Sequence, residues 1–190
     1  MSHGAAGFAL AMASLAAATE REDFAAAATE CVAFENSTYD PERHNWPDLR
    51  GSDEPSWRCQ WCHGAPGIGL ARIAMSRRQR QDPGLIPDIR NALVGVQQGW
   101  PGPVDTLCCG TLGSIEFLCE AAGPLERPDL RELASRRLMT VLETAGAAGD
   151  YRWNTGNRRF NLGLFRGIAG VGYTSLRQVD PSLPNVLTWD

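Results

Sequence analysis

Two short stretches carry residue types that could do chemistry. "WCHGAPGIGLARI", Trp61 to Ile73, sets Cys62 and His63 before a Gly-x-x-Gly corner and then runs into an apolar helical pattern. "LCCGTLGSIEFL", Leu107 to Leu118, repeats the layout with Cys108 and Cys109. Thiolate sulfur and imidazole nitrogen are the donors that Zn²⁺ selects in tetrahedral sites. A thiol at the start of a helix also ionises more easily, because unpaired N–H groups and the helix dipole favour the anion.

Two further stretches align with these without a gap: "SHGAAGFALAM" from Ser2 and "FRGIAGVGYTS" from Phe165. Each of the four reads x-[His/Cys/Arg]-Gly-x-x-Gly and opens a helix. The first glycines, Gly4, Gly64, Gly110 and Gly167, are 60, 46 and 57 residues apart, enough for two helices per unit. Glycine at both places predicts a tight turn in which a Cβ would clash and neighbouring backbones come close. If the corners meet, they deliver His3, Cys62 with His63, Cys108 with Cys109, and Arg166 to one centre. Three thiolates on a zinc ion leave one tetrahedral position open, which separates a catalytic site from a structural one. Such an electron-rich centre would deprotonate an incoming thiol near neutral pH and keep it nucleophilic.

Other readings stand beside these. Cys59 and Cys62 form Cys-x-x-Cys, the spacing of a zinc half-knuckle or a redox pair. Cys31 and Cys119 fall in helical patterns and read as small buried hydrophobes. His44 lies in a polar loop and reads as solvated, and His3 reads alternatively as a residue near a frayed chain start. Arg166, with Arg158 and Arg159, reads equally as a solvated face, and Arg77, Arg78 and Arg80 as complements to a helix C-terminus.

The elements that must position these residues are helical. After each corner apolar residues recur at helical spacing on more than one face, as with Ile115, Leu118 and Ala122 or Ile168, Val171 and Leu176, which predicts buried helices. Between them lie amphipathic helices with charged faces at Glu22 to Phe34, Leu85 to Gln98 and Pro128 to Ala145, which suit an outer layer. Glu35 to Arg58 and Tyr151 to Asn161 are rich in Asn, Asp, Pro, Ser and Gly and read as loops, the second with a small hairpin around Asn154 to Asn157. The expectation is an all-α chain of inner helices, each followed by an outer one, in an α/α arrangement that curves.

Bulk properties narrow the function. With 190 residues the chain suits one domain that buries a core without disulfide staples. A net charge of -4, without blocks of like charge, lacks the footprint of a nucleic-acid binder. Six cysteines, two of them adjacent, fit a reduced compartment with metal-binding or catalytic thiols better than a disulfide framework. The apolar opening, Phe8 to Ala18, has no Lys or Arg before it and does not read as a secretory signal. No apolar run reaches the ~18 to 20 residues that a membrane span needs, so a cytoplasmic protein is expected.

"SHGAAG", "WCHGAPGIGLARI", "CCGTLG" and the closing "GLFRGIAGVGYTSLRQVDPSLPNVL" closely resemble the cyclase domain of lanthipeptide synthetases, the LanC-like family. "NWPDLR", Asn45 to Arg50, and the double cysteine resemble the bifunctional class II, LanM-type, enzymes. The resemblance covers the whole chain. It implies an α/α toroid around a zinc ion held by Cys62, Cys108 and Cys109, where Cys109 stands at a position that is histidine in the stand-alone cyclases. It gives Cys59 no counterpart as a ligand. His3 matches the family's His-Gly-x-x-Gly histidine, an acid/base residue, and His63 would line the cavity as a second proton carrier. The implied reaction is addition of a cysteine thiolate of a precursor peptide to dehydroalanine or dehydrobutyrine, giving lanthionine or methyllanthionine.

A complete toroid has seven inner helices, whereas this chain shows four corners, so residues 1–190 are expected to be the C-terminal portion of such a domain. The missing N-terminal part of the synthetase is then an expected partner. A LanC-like enzyme that adds glutathione, and a non-catalytic zinc-stabilised helical scaffold that binds peptides, are the alternatives.

Overall fold

The computed structural model of the chain describes residues 1–2, 4–51, 54–78, 83–153 and 161–190. Among them the regular structure is seven α-helices: α1 (Ala5–Thr19), α2 (Glu22–Thr38), α3 (Ala65–Arg78), α4 (Ile86–Gln98), α5 (Thr111–Ala121), α6 (Asp129–Ala148) and α7 (Ile168–Val179). The expectation of an all-α chain holds. α1, α3, α5 and α7 each begin one residue after the first glycine of a corner.

The Gly-x-x-Gly pattern has a recurrent steric cause. Before each corner the chain doubles back along the first turn of the coming helix. A Cβ on the second glycine would therefore lie 1.9 to 2.5 Å from the carbonyl oxygen six residues earlier: Met1 for Gly7, Trp61 for Gly67, Leu107 for Gly113 and Leu164 for Gly170. The first glycine meets the same obstacle in three corners but not at Gly4, around which space is open. Gly64 has a second reason, a φ of +96° that side chains with a Cβ rarely adopt.

α1 packs on α2 and α3, α3 on α4 and α5, and α5 on α6 and α7. α1, α3, α5 and α7 thus form an inner row, backed by α2, α4 and α6. α3 is buried from Ala65 to Ser76 and α5 from Thr111 to Leu118. α1 and α7 depart from the expected all-round burial: α1 hides Ala6, Ala9, Leu10 and Ala13 but leaves Phe8 62% exposed, and α7 leaves Val179 86% exposed. The reason is position, since each has an inner-row neighbour on one side only among the described residues.

α2 runs to Thr38, four residues into the span read as a loop. Its last turns carry Glu35, whose carboxylate lies 2.8 Å from Arg72 of α3; Arg72 is wholly buried and also lies 2.8 Å from Asp88 of α4. One guanidinium with two carboxylates thus ties three helices together, and the pairing offsets the cost of burying the charges. The hairpin expected at Asn154 to Asn157 lies outside the described residues. No helix among those described is long and apolar enough to cross a membrane.

At the C-terminal ends of the inner helices lies a polar network. Arg177 of α7 lies 3.1 Å from Glu116 and 2.6 Å from Glu120, both on α5. Arg77 of α3 pairs with Glu120, and Arg77 and Arg78 both pair with Asp190. Arg78 also donates to the Ala74 carbonyl at 2.9 Å, the helix-end role expected of it, while Arg80 lies outside the described residues.

Candidate metal centre

The corners are joined to one another by their backbones. Cys62 N–H donates to the Cys108 carbonyl at 3.2 Å, and Cys108 N–H donates to the Phe165 carbonyl at 2.9 Å. The residue before each Gly-preceding position thus passes a hydrogen bond to its equivalent in the next unit, and at the first corner the Met1 amine, one residue ahead of the equivalent Ser2, donates to the Cys62 carbonyl at 3.2 Å. Thr106 Oγ1 accepts from Cys109 N–H at 3.3 Å and fixes the second cysteine of the pair.

This ladder brings three sulfurs together. Cys62 and Cys109 have their Sγ atoms 3.5 Å apart, and Cys109 and Cys108 3.3 Å apart. All three lie within 4.8 Å of one another, buried and free of disulfides. Zn–S bonds of about 2.3 Å in tetrahedral array place sulfurs ~3.8 Å apart, so the trio fits one ion with little movement. The protonation pattern fits as well. Hydrogen bonds from Cys108 and Cys62 hold the Cys109 thiol well below the usual thiol range, against the effect of burial. The same sharing, together with burial, pushes Cys62 and Cys108 up. The three crowded thiols thus share their protons, and a cation that replaced those protons would relieve the crowding of charge.

Arg166 is exposed, yet its guanidinium lies near enough to the Cys108 and Cys109 sulfurs to favour their anionic forms, so it belongs to the centre rather than to a merely solvated face. The nearby sulfurs in turn raise the Arg166 pKa, with the Cys109 charge the largest cause.

On the other side, beside Cys62, His63 is gripped by the 46–50 loop. Its Nδ1 lies 3.5 Å from Asp48 Oδ2, and its Nε2 lies 2.6 Å from Arg50 Nη2. An arginine only donates, so Nε2 accepts and Nδ1 carries a proton toward Asp48. Asp48 is held well below the ordinary carboxylate range, first by its hydrogen bond from Arg50. Asn45 anchors the loop: its side chain donates to the Arg58 carbonyl at 3.2 Å and accepts from Ala65 N–H, the first residue of α3, at 2.8 Å.

Of the residues expected at the centre, the structure brings together Cys62, Cys108, Cys109, His63 and Arg166. His3, Arg158 and Arg159 lie outside the described residues. Cys59 points away, its thiol 3.5 Å from the Gly95 carbonyl of α4 and pushed up to about 12 by burial. Cys31 and Cys119 are partly buried, and Cys119 takes a hydrogen bond from Gln178 at 2.8 Å. His44 is not simply solvated: it is partly buried, with its Nδ1 3.2 Å from the Tyr39 hydroxyl. Asp48, Arg50 and Asn45 had been missed as site residues, although "NWPDLR" drew attention to their loop.

Comparison with known proteins adds two findings. A family model described as lanthionine synthetase C-like protein matches residues 1–189. The chain is also similar to the lacticin 481/lactococcin biosynthesis protein of Lactococcus lactis subsp. lactis, with 26% identity over 193 residues. That alignment takes in 93% of this chain but 20% of the relative, so the chain spans about a fifth of the length of the curated relative it matches.

Proposed function

The chain belongs to the lanthionine synthetase C-like family, and from that membership we propose that its three-cysteine centre holds Zn²⁺ in a cyclase that closes thioether rings in a precursor peptide. One observation carries the reading: three free, buried thiols from two separate corners have their sulfurs within 4.8 Å of one another. Bound by Cys62, Cys108 and Cys109, the ion would lower the pKa of a peptide thiol at its fourth position.

The chain's own residues supply the rest. The peptide thiolate adds to the β-carbon of dehydroalanine or dehydrobutyrine; a C–S bond forms, the C=C electron pair moves to the α-carbon and its carbonyl, and the enolate takes a proton. His3, by its motif, is the proposed proton donor, and His63, held by Asp48 and Arg50 beside Cys62, is a second proton carrier. Arg166 offsets part of the negative charge of the three sulfurs. The similarity to a lacticin 481/lactococcin biosynthesis protein supports a lanthipeptide precursor as the partner, and the free thiols suit a reducing compartment, the cytoplasm, as the place. Residues 1–190 would act as part of a larger α/α toroid, with the remainder of the synthetase as second partner.

The test pairs metal analysis with ring counting. The purified chain should carry about one zinc, and Cys108→Ser should carry almost none. With a dehydrated precursor peptide, each closed ring removes one thiol from alkylation, read by mass. A chain that binds no zinc and leaves every peptide thiol open to alkylation, even with the rest of the synthetase added, would sink the reading.

A further inference from the structure

A cleft beside the centre has no part in the account so far. It lies between the last turns of α2 and the 46–50 loop, encloses about 170 Å³, and reaches Cys62 and His63. Phe34 and Leu49 line it with 55% and 53% of their surface exposed, and buried Trp46 and Ile68 complete its apolar lining. Exposed apolar surface of this kind, set beside a cleft, marks a docking place.

Size limits the occupant. A cavity of about 150 Å³ lined by apolar side chains holds a benzene ring, so this cleft has room for one aromatic or branched side chain. A second copy of the chain is a poor fit, because a stable interface buries roughly 1,200 to 2,000 Å² in total and the apolar surface here is confined to a few side chains. The polar end of the cleft also suits an extended peptide: Asp48 can accept from a backbone N–H and the Arg50 guanidinium can donate to a carbonyl. Since the cleft shares Cys62 with the metal centre, and successive Cα atoms are about 3.8 Å apart, a residue seated in it is a near neighbour of one at the sulfurs.

We propose that this cleft seats an aromatic or branched aliphatic side chain of the precursor peptide, from the residue adjoining the cysteine presented to the metal centre, with Phe34 and Leu49 setting the preference. Which peptide residue is seated rests on the thiol-accepting zinc reading; the cleft's preference for an apolar side chain does not.

The experiment uses the zinc-loaded full chain and capped hexapeptides Gly-Gly-X-Cys-Gly-Gly, with X as Phe, Leu, Ala or Asp, beside a second series with Ser replacing Cys. Binding is read by calorimetry. Phe and Leu peptides should bind at least about fivefold tighter than the Ala peptide, which corresponds to ~1 kcal/mol. The double variant Phe34→Ala, Leu49→Ser should reduce that ratio below about twofold while leaving the Ala peptide unchanged. Both positions are exposed, and a thermal melt confirms that the variant is folded. If Cys and Ser series bind equally yet the Phe advantage persists, the zinc–thiol reading fails and the cleft stands. Absence of a Phe advantage in both series, or its survival in the double variant, overturns the cleft. A dimer of the parent chain that dissociates in the double variant would assign the cleft to a second copy, and likewise overturn the proposal.

Discussion

At the N-terminal ends of α3 and α5 three sulfurs crowd within 4.8 Å, two of them with thiols pushed up and one held low. At the C-terminal ends of α3, α5 and α7, an equally dense group of charges is closed on itself: Arg177 lies between Glu116 and Glu120, and Arg77 and Arg78 meet Glu120 and Asp190. The same helices thus end in two kinds of polar cluster. One finds its counter-charges within the protein and holds the helix row together. The other is a set of three crowded thiols, two of them holding their protons, which become anionic donors when a cation takes the protons' place. The difference separates structure from function more sharply than density of charge does, because only an uncompensated set has free energy left for a ligand.

The comparison breaks if either end behaves like the other. The largest effect is expected from Arg177→Met, which strands the buried Glu116 carboxylate and takes one guanidinium from Glu120, which keeps Arg77, and should cost about 3 to 5 kcal/mol of stability by denaturant titration. Zinc content of the folded fraction should not change; loss of the metal from folded protein would mean that the two ends are one unit.

A smaller effect follows at the other end from Arg166→Gln, which should weaken zinc binding about two- to tenfold in competition with a chelator, leaving the melt unaltered. Arg166→Lys should recover part of the affinity. Equal affinity in all three proteins would return Arg166 to the solvated face.

The finest distinction is in pH. Glu116 is pushed up to about 7, chiefly by burial, with the Arg177 charge opposing. A carboxyl whose folded pKa is raised holds its proton more tightly in the folded chain, so its contribution is full below about pH 4.5 and is lost as pH rises through about 7. Glu116→Gln should therefore gain on the parent between pH 5 and pH 8, by a few degrees of melting temperature. Parallel pH profiles for parent and variant would show that the carboxyl titrates normally.

Much of the inner row was legible because its cause is local. Four helix starts follow from four glycine corners, since a Cβ at the second glycine collides with the carbonyl six residues back whatever the rest of the chain does. The outer helices were legible from their charged faces, but the end of α2 was not. Glu35 looks like a loop residue until Arg72, 37 positions away in sequence, supplies its partner at 2.8 Å. His44 was misjudged for the same reason, its hydroxyl partner being given by a turn rather than by composition.

The sequence by itself determined which cysteines stand at corners and therefore which sulfurs were eligible for a metal. It also left Cys59 in contention through its Cys-x-x-Cys spacing, until packing against α4 turned that thiol to the Gly95 carbonyl. Only the tertiary structure decided that Cys62 and Cys109, 47 positions apart, lie 3.5 Å from each other, and that Asp48 and Arg50 close around His63. The physical reason is range: steric exclusion at a turn acts within a few residues, whereas side-by-side packing of α3 and α5 and the backbone bonds from corner to corner join segments that nothing local connects.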